Sequence, residues 1–143
     1  MVIGNQKSIE NLARAGQIVI AVGGGGIPSF YVAPGKLQGI DAVIDKDLAS
    51  SLLAWQIRAD KFFILTDVPK VYIHFNTPQQ QALDRITIAQ AQHYLNEGHF
   101  AEGSMAPKIR AAINFVQNTG KDTIVTNAEM LGIDNGGTRI VLV

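Results

Sequence analysis

Apolar runs rich in β-branched residues, set between segments at helical spacing, narrow the fold of this chain more than any other feature. Gln17–Val22 is apolar without alternation, the pattern of a strand covered on both faces. Lys61–Thr66 reads the same way, and Val71–Phe75 is a shorter strand. Thr123–Thr126 and Thr138–Val143 read as strands, and Val43–Ile44 as another short one. Between them lie helical segments. Ser8 is placed to cap a helix over Ser8–Ala15, where Ile9, Leu12 and Ala13 share a face and Gly16 ends it. Leu48–Arg58 follows Asp45 and Asp47, Ile88–Glu97 runs up to Gly98, and Pro107–Gln117 begins on a proline suited to a first helical turn. Gln79–Gln81 reads as a surface loop. The alternation predicts an α/β domain with a largely parallel sheet. At 143 residues and 47% hydrophobic content, residues 1–143 suffice for one domain with its own core.

Composition removes several functions. Lys+Arg and Asp+Glu both number 12, with no basic stripe, which argues against nucleic acid as a partner. The absence of Cys rules out disulfides and thiolate metal sites. The longest apolar runs are too short to cross a bilayer, and Met1–Glu10 has no secretion signal. The expectation is a cytoplasmic protein without a membrane partner.

Four segments can carry chemistry. Gly23, Gly24, Gly25 and Gly26 directly follow the first strand. Such a run offers backbone N–H groups to an anion, or simply turns the chain. It matches neither a GxGxxG fingerprint nor a Walker A loop. Asp45-Lys46-Asp47 stands at a helix start, where the carboxylates suit the positive helix end but Lys46 does not; an anionic ligand would offset that mismatch. Gly103–Lys108 leads into another helix, where backbone N–H groups, the dipole and Lys108 can converge on a phosphate, or Lys108 can merely be solvated. Asp67 ends a strand, the place where open α/β sheets collect ligands, and Tyr72 can flank a base or pack. His74, His93 and His99 show no spacing for a shared metal, and Trp55 reads as a core or interface residue. No Ser/His/Asp arrangement and no paired-carboxylate signature is legible.

Taken in order, these strings resemble carbamate kinase, a member of the amino-acid kinase superfamily. They are Val19–Pro28, Gly39–Ala49 with its Val-Ile-Asp-Lys-Asp core, Leu65–Val68, Gly98–Phe100 and Gly103–Ile109. The likeness runs from about Ser8 to the end and is to the C-terminal, nucleotide-holding half. It implies a three-layer α/β/α sandwich and the reaction ATP + carbamate ⇌ ADP + carbamoyl phosphate with Mg²⁺. By motif, Lys46 and Lys108 would contact nucleotide and transferring phosphates, and Asp47 would orient the lysines and organise the metal site. Gly23–Gly26 would line the transfer site, and Asp67, Tyr72 and Met105 would surround ribose and adenine. Mg²⁺ would be held mainly by nucleotide phosphates. Relatives of this type are about twice as long, and their N-terminal half carries a second glycine loop and another lysine that hold the acceptor. Ser29-Phe30 also departs from the small apolar residue expected after Pro28. The resemblance further implies a homodimer, or pairing with a separate N-terminal half. Acetylglutamate, glutamate, aspartate and uridylate kinases share the half in outline, and a non-catalytic nucleotide-binding module is the reading from another class.

Overall fold

The computed structural model describes residues 3–23 and 26–143. The chain is α/β. Its main sheet has four strands in the order β3 (Phe62–Leu65), β7 (Thr123–Thr126), β8 (Thr138–Val141) and β6 (Arg85–Thr87). The β3–β7 and β6–β8 pairings are parallel and the central β7–β8 pairing is antiparallel, so the sheet is mixed with a parallel majority. Two hairpins stand beside it: β1 (Ser29–Ala33) with β2 (Lys36–Gly39), and β4 (Val71–Ile73) with β5 (Gln81–Leu83). The first turns at Pro34-Gly35, where Gly35 takes a positive φ of 74°. Proline followed by glycine suits such a turn because Pro presets φ and Gly accepts the left-handed region. This hairpin and the short strands β5 and β6 were not expected from the apolar pattern.

One face of the sheet makes the core. Ile64 on β3 pairs with Val125 on β7, and Ile86 on β6 pairs with Ile140 on β8, all buried. Helix α4 (Met105–Thr119) lies over them, with Ile109, Ala112, Phe115 and Val116 fully buried. Phe115 meets Phe62 of β3 with ring centroids 5.2 Å apart. Gly120 ends α4 in the left-handed region at φ 68°, and its N–H bonds Val116 O at 2.8 Å. Helix α3 (Ile88–Asn96) starts on a capping box, with the Thr87 hydroxyl accepting from Gln90 N and the Gln90 side chain accepting from Thr87 N. Helix α2 (Lys46–Gln56) packs against α4 through its small buried residues Ala49, Ser51 and Ala54 and through Leu52 and Leu53. Just before helix α1 (Gln6–Arg14), Ile3 N donates to the side chain of Gln56 at the end of α2 at 3.2 Å.

Several expectations change. Gln17–Val22 is not a buried strand: it forms no ladder, and Ile18 and Ile20 are 98% and 99% exposed. A strand buried on both faces needs neighbours at its edges and layers above and below; this run joins no sheet among the described residues, and only Val19 and Ala21 are half-buried. Val43–Ile44 is likewise loop, with Val43 exposed. Lys61–Thr66 does form β3, but at the sheet edge with one covered face; Phe63 and Leu65 point away from the helices and are 36% and 47% exposed. Gln81, expected in a loop, opens β5. Helix α1 begins at Gln6, so Ser8 lies inside it; Asn5 holds the cap position without a side-chain bond.

Candidate functional site

Helices α2 and α4 each run back toward the start of the strand that follows them. Their N-termini therefore lie together at the C-terminal ends of β3 and β7, where ligands gather in open α/β sheets. Asp45 caps α2: its Oδ1 accepts from Asp47 N and Leu48 N, both at 2.9 Å. That bond settles the division of labour within Asp45-Lys46-Asp47. Asp45 is structural, which leaves the Asp47 carboxylate free to turn toward α4. There it accepts a hydrogen bond from Lys108 Nζ at 2.9 Å, with side chains only 14% and 17% exposed. Residues 61 apart in sequence thus meet because α2 and α4 pack closely. Lys46 is exposed, and no ion pair engages it among the described residues.

At the start of α4, Ser104 makes no side-chain cap bond, Ala106 N is taken by Ala101 O at 3.0 Å, and Pro107 has no N–H to offer. The converging amides expected there are thus fewer than the sequence suggests, and Lys108 carries most of the positive charge. Just before α4, Glu102 accepts a bidentate pair of bonds from Arg110, both at 2.7 Å. The Arg110 hydrogen bond holds the Glu102 carboxyl below its ordinary range.

The remaining sequence candidates reach the same end of the sheet by different routes. Gly26 sits against Ile44, since a Cβ there would lie 3.4 Å from Ile44 Cδ1, and this sets the end of the glycine run beside the α2 cap. Gly23 has a φ of 137°, a conformation reserved for glycine; Gly24 and Gly25 lie outside the described residues. Thr66 N bonds Thr126 O at 2.8 Å, so the exposed Asp67 follows directly beyond the paired strand ends. Val71 N donates to Thr138 Oγ1 at 2.8 Å, fixing β4 and its half-buried Tyr72 near the same edge; the Tyr72 ring lies 5.7 Å from that of Phe75. Met105 packs on the core cluster. The direct contact within the set is Lys108 with Asp47.

The histidines are closer than their spacing suggested. His74 and His99 rings meet edge-on at 4.5 Å, and the Nε2 atoms of His93 and His99 lie 3.4 and 3.3 Å from the two oxygens of Glu97. Turns at both ends of the segment fold them together. Among the described residues no group of three or more His, Cys, Asp or Glu can hold a metal ion, and no helix is long and apolar enough to cross a membrane.

A lysine–aspartate pair and two helix starts thus meet at one end of the sheet. The chain belongs to the amino acid kinase family, whose model matches residues 2–127. Within it the chain is similar to carbamate kinases. It is 57% identical over 124 residues to the carbamate kinase of Thermoplasma volcanium, covering 87% of this chain and 40% of the relative. A carbamate kinase-like protein of Escherichia coli is 52% identical over 124 residues, again 87% of this chain and 39% of the relative. The structure of carbamate kinase from Giardia lamblia bound to AMP-PNP superposes with a TM-score of 0.90 at 41% identity, covering 99% of this chain and 50% of that one. The chain therefore spans about two-fifths of the length of the curated relatives it matches.

Proposed function

We propose that this chain is the nucleotide-holding portion of a carbamate kinase-type phosphotransferase, acting in ATP + carbamate ⇌ ADP + carbamoyl phosphate. The observation that carries this reading is the Lys108–Asp47 pair at the junction of two helix starts. Phosphoryl transfer asks the protein mainly for in-line positioning and for neutral balance around the phosphate oxygens. A carbamate oxygen forms a bond to the γ-phosphorus while the bond to the β,γ-bridging oxygen breaks. Lys108, with the exposed Lys46 one residue before its Asp47 partner, would meet the negative charge on the oxygens. Asp47 holds the Lys108 ammonium in place, which a free lysine on a flexible stem would not manage unaided. Glycines 23–26 would let the phosphates approach the backbone, and Asp67, Tyr72 and Met105 would border ribose and adenine.

Mg²⁺ fits this donor set modestly. Asp67 is exposed and Asp47 is already engaged by Lys108, so the ion would rest mainly on nucleotide phosphates, where it supplies charge neutralisation. The acceptor-holding half, the choice of carbamate over other acceptors, a cytoplasmic setting and a homodimeric or two-chain assembly all belong to this reading. It is supported by the likeness to carbamate kinases and by the AMP-PNP bound to the Giardia protein.

In the assembled enzyme, Lys108→Ala should lower kcat by about 100-fold, close to 3 kcal/mol, with a smaller change in KM for ATP. Unchanged turnover would remove Lys108 from the transferring phosphate. An acceptor panel tests the rest: phosphorylation of glutamate or UMP with carbamate inert would point to another amino-acid kinase. The second reading is a module that binds nucleotide without turnover. Calorimetry with MgADP beside a coupled assay for ATP formation from carbamoyl phosphate separates the two, since binding without turnover supports the module.

A further inference from the structure

The sheet face turned away from α4 has chemistry of its own. The strand registers set Phe63, Ile124, Arg139 and Arg85 in one row across β3, β7, β8 and β6 on this face. Arg139 and Arg85 are therefore cross-strand neighbours, on strands about 4.8 Å apart. Like charges opposite each other in a sheet are destabilising unless something answers them. Asp122 answers Arg139 at 3.1 Å, while Arg85 has no ion pair among the described residues. Both arginines are exposed.

This row lines a cavity of about 560 Å³, within the range of about 300–1,000 Å³ usual for small-molecule pockets. Lys61 and Lys70 bring its lining to four cationic side chains, against Asp84 and Asp134. Asp84 is already engaged by Lys70. With Asp122 on Arg139 counted as well, one positive charge is left in excess around the cavity, on a chain that is neutral as a whole. Another wall is the turn around residues 130–137, and it is firmly held. The Thr126 hydroxyl donates to Gly136 O, and a Cβ on Gly137 would lie 2.8 Å from Val125 O, so the turn is pressed against β7 where only glycine fits.

We propose that this cavity binds a small organic anion bearing a phosphate group. The Arg85 and Arg139 guanidiniums would share the phosphate, since paired planar forks suit its oxygens better than ammonium groups do. Phe63 and Ile124, further along the row, would cover the apolar part of the ligand. The site is separate from the Lys108–Asp47 pair, which lies under α4 on the opposite face.

Phenyl phosphate and inorganic phosphate serve as probes, with binding followed by calorimetry and by the arginine Nε–Hε resonances. Phenyl phosphate should bind saturably, several-fold tighter than inorganic phosphate, and should shift the Arg85 and Arg139 resonances. Arg85→Gln should weaken it about tenfold, with circular dichroism unchanged because Arg85 is exposed. Lys108→Ala should leave this binding intact. Full affinity in Arg85→Gln, a loss found only in Lys108→Ala, or equal affinity for the two probes would overturn the proposal.

Discussion

Thr123–Thr126 and Gln17–Val22 are both short β-branched runs, yet they end in opposite environments. On β7, Val125 is fully buried, flanked by β3 and β8 and covered by α4. In the earlier run, Ile18 and Ile20 stand almost wholly in solvent. Burial of a strand is a property of its neighbours: the same side chains stabilise the fold only where something else covers them. The difference extends to the surrounding regions. The continuous core draws on residues between Ile64 and Ile140, whereas Ile27, Tyr31, Leu37 and Val43, earlier in the chain, are also exposed. Large apolar surface of this kind marks association sites, and β3 is an edge strand of the main sheet, a second place where another chain can pair.

The comparison breaks first at the core. Phe115→Ala should cost about 3–5 kcal/mol, because it removes a fully buried ring and its contact with Phe62. Ile20→Ser in the isolated chain should change stability by less than about 0.5 kcal/mol. Chemical denaturation of the two variants measures the contrast directly, and a comparable loss from Ile20→Ser would mean that its run is covered after all.

Association sharpens it next. The chain should self-associate at micromolar concentration or bind a separately expressed N-terminal half. Ile18→Lys together with Ile20→Lys should suppress that association without lowering secondary-structure content. A sharp monomer peak near 15.4 kDa in light scattering, with cooperative unfolding, would show that the exposed run recruits nothing.

Two smaller effects probe the site region. Asp45→Ala should cost about 1 kcal/mol, since it leaves the amides of Asp47 and Leu48 without their acceptor. It should also loosen the Lys108–Asp47 pair, visible as a shift of the Asp47 side-chain carboxyl resonance; an unchanged resonance would separate cap from pair. The smallest effect concerns Glu102. Arg110 lowers its folded pKa, so its stabilising contribution is present above the unfolded value of 4.5 and is lost as pH falls through the lower folded value. Carboxyl titration by NMR should place Glu102 below 4.5, and Arg110→Gln should return it to the ordinary range.

Much of this was legible in the sequence. The α/β alternation, the helices over residues 46–56 and 105–119 and the strands β3, β7 and β8 follow from periodicity and caps, which are local. The residues of the Lys108–Asp47 pair were nameable because their motifs are contiguous strings. Other parts carry local signals of their own: Pro34-Gly35 marks a hairpin, and Thr87 with Gln90 spells a capping box. What no local pattern held was distance. Asp47 and Lys108 are 61 residues apart and meet only because α2 and α4 pack together. The neighbouring arginines at 85 and 139, and the histidines gathered at Glu97, depend on strand register and on turns in the same way. The amino-acid order by itself determined the helices α2, α3 and α4 and the strands β3, β7 and β8, whose signals rest on contacts within a few residues. Which apolar run is covered, which aspartate caps and which one pairs, and which charges face each other were decided by tertiary structure, because burial and electrostatics depend on what another part of the chain brings within a few ångströms.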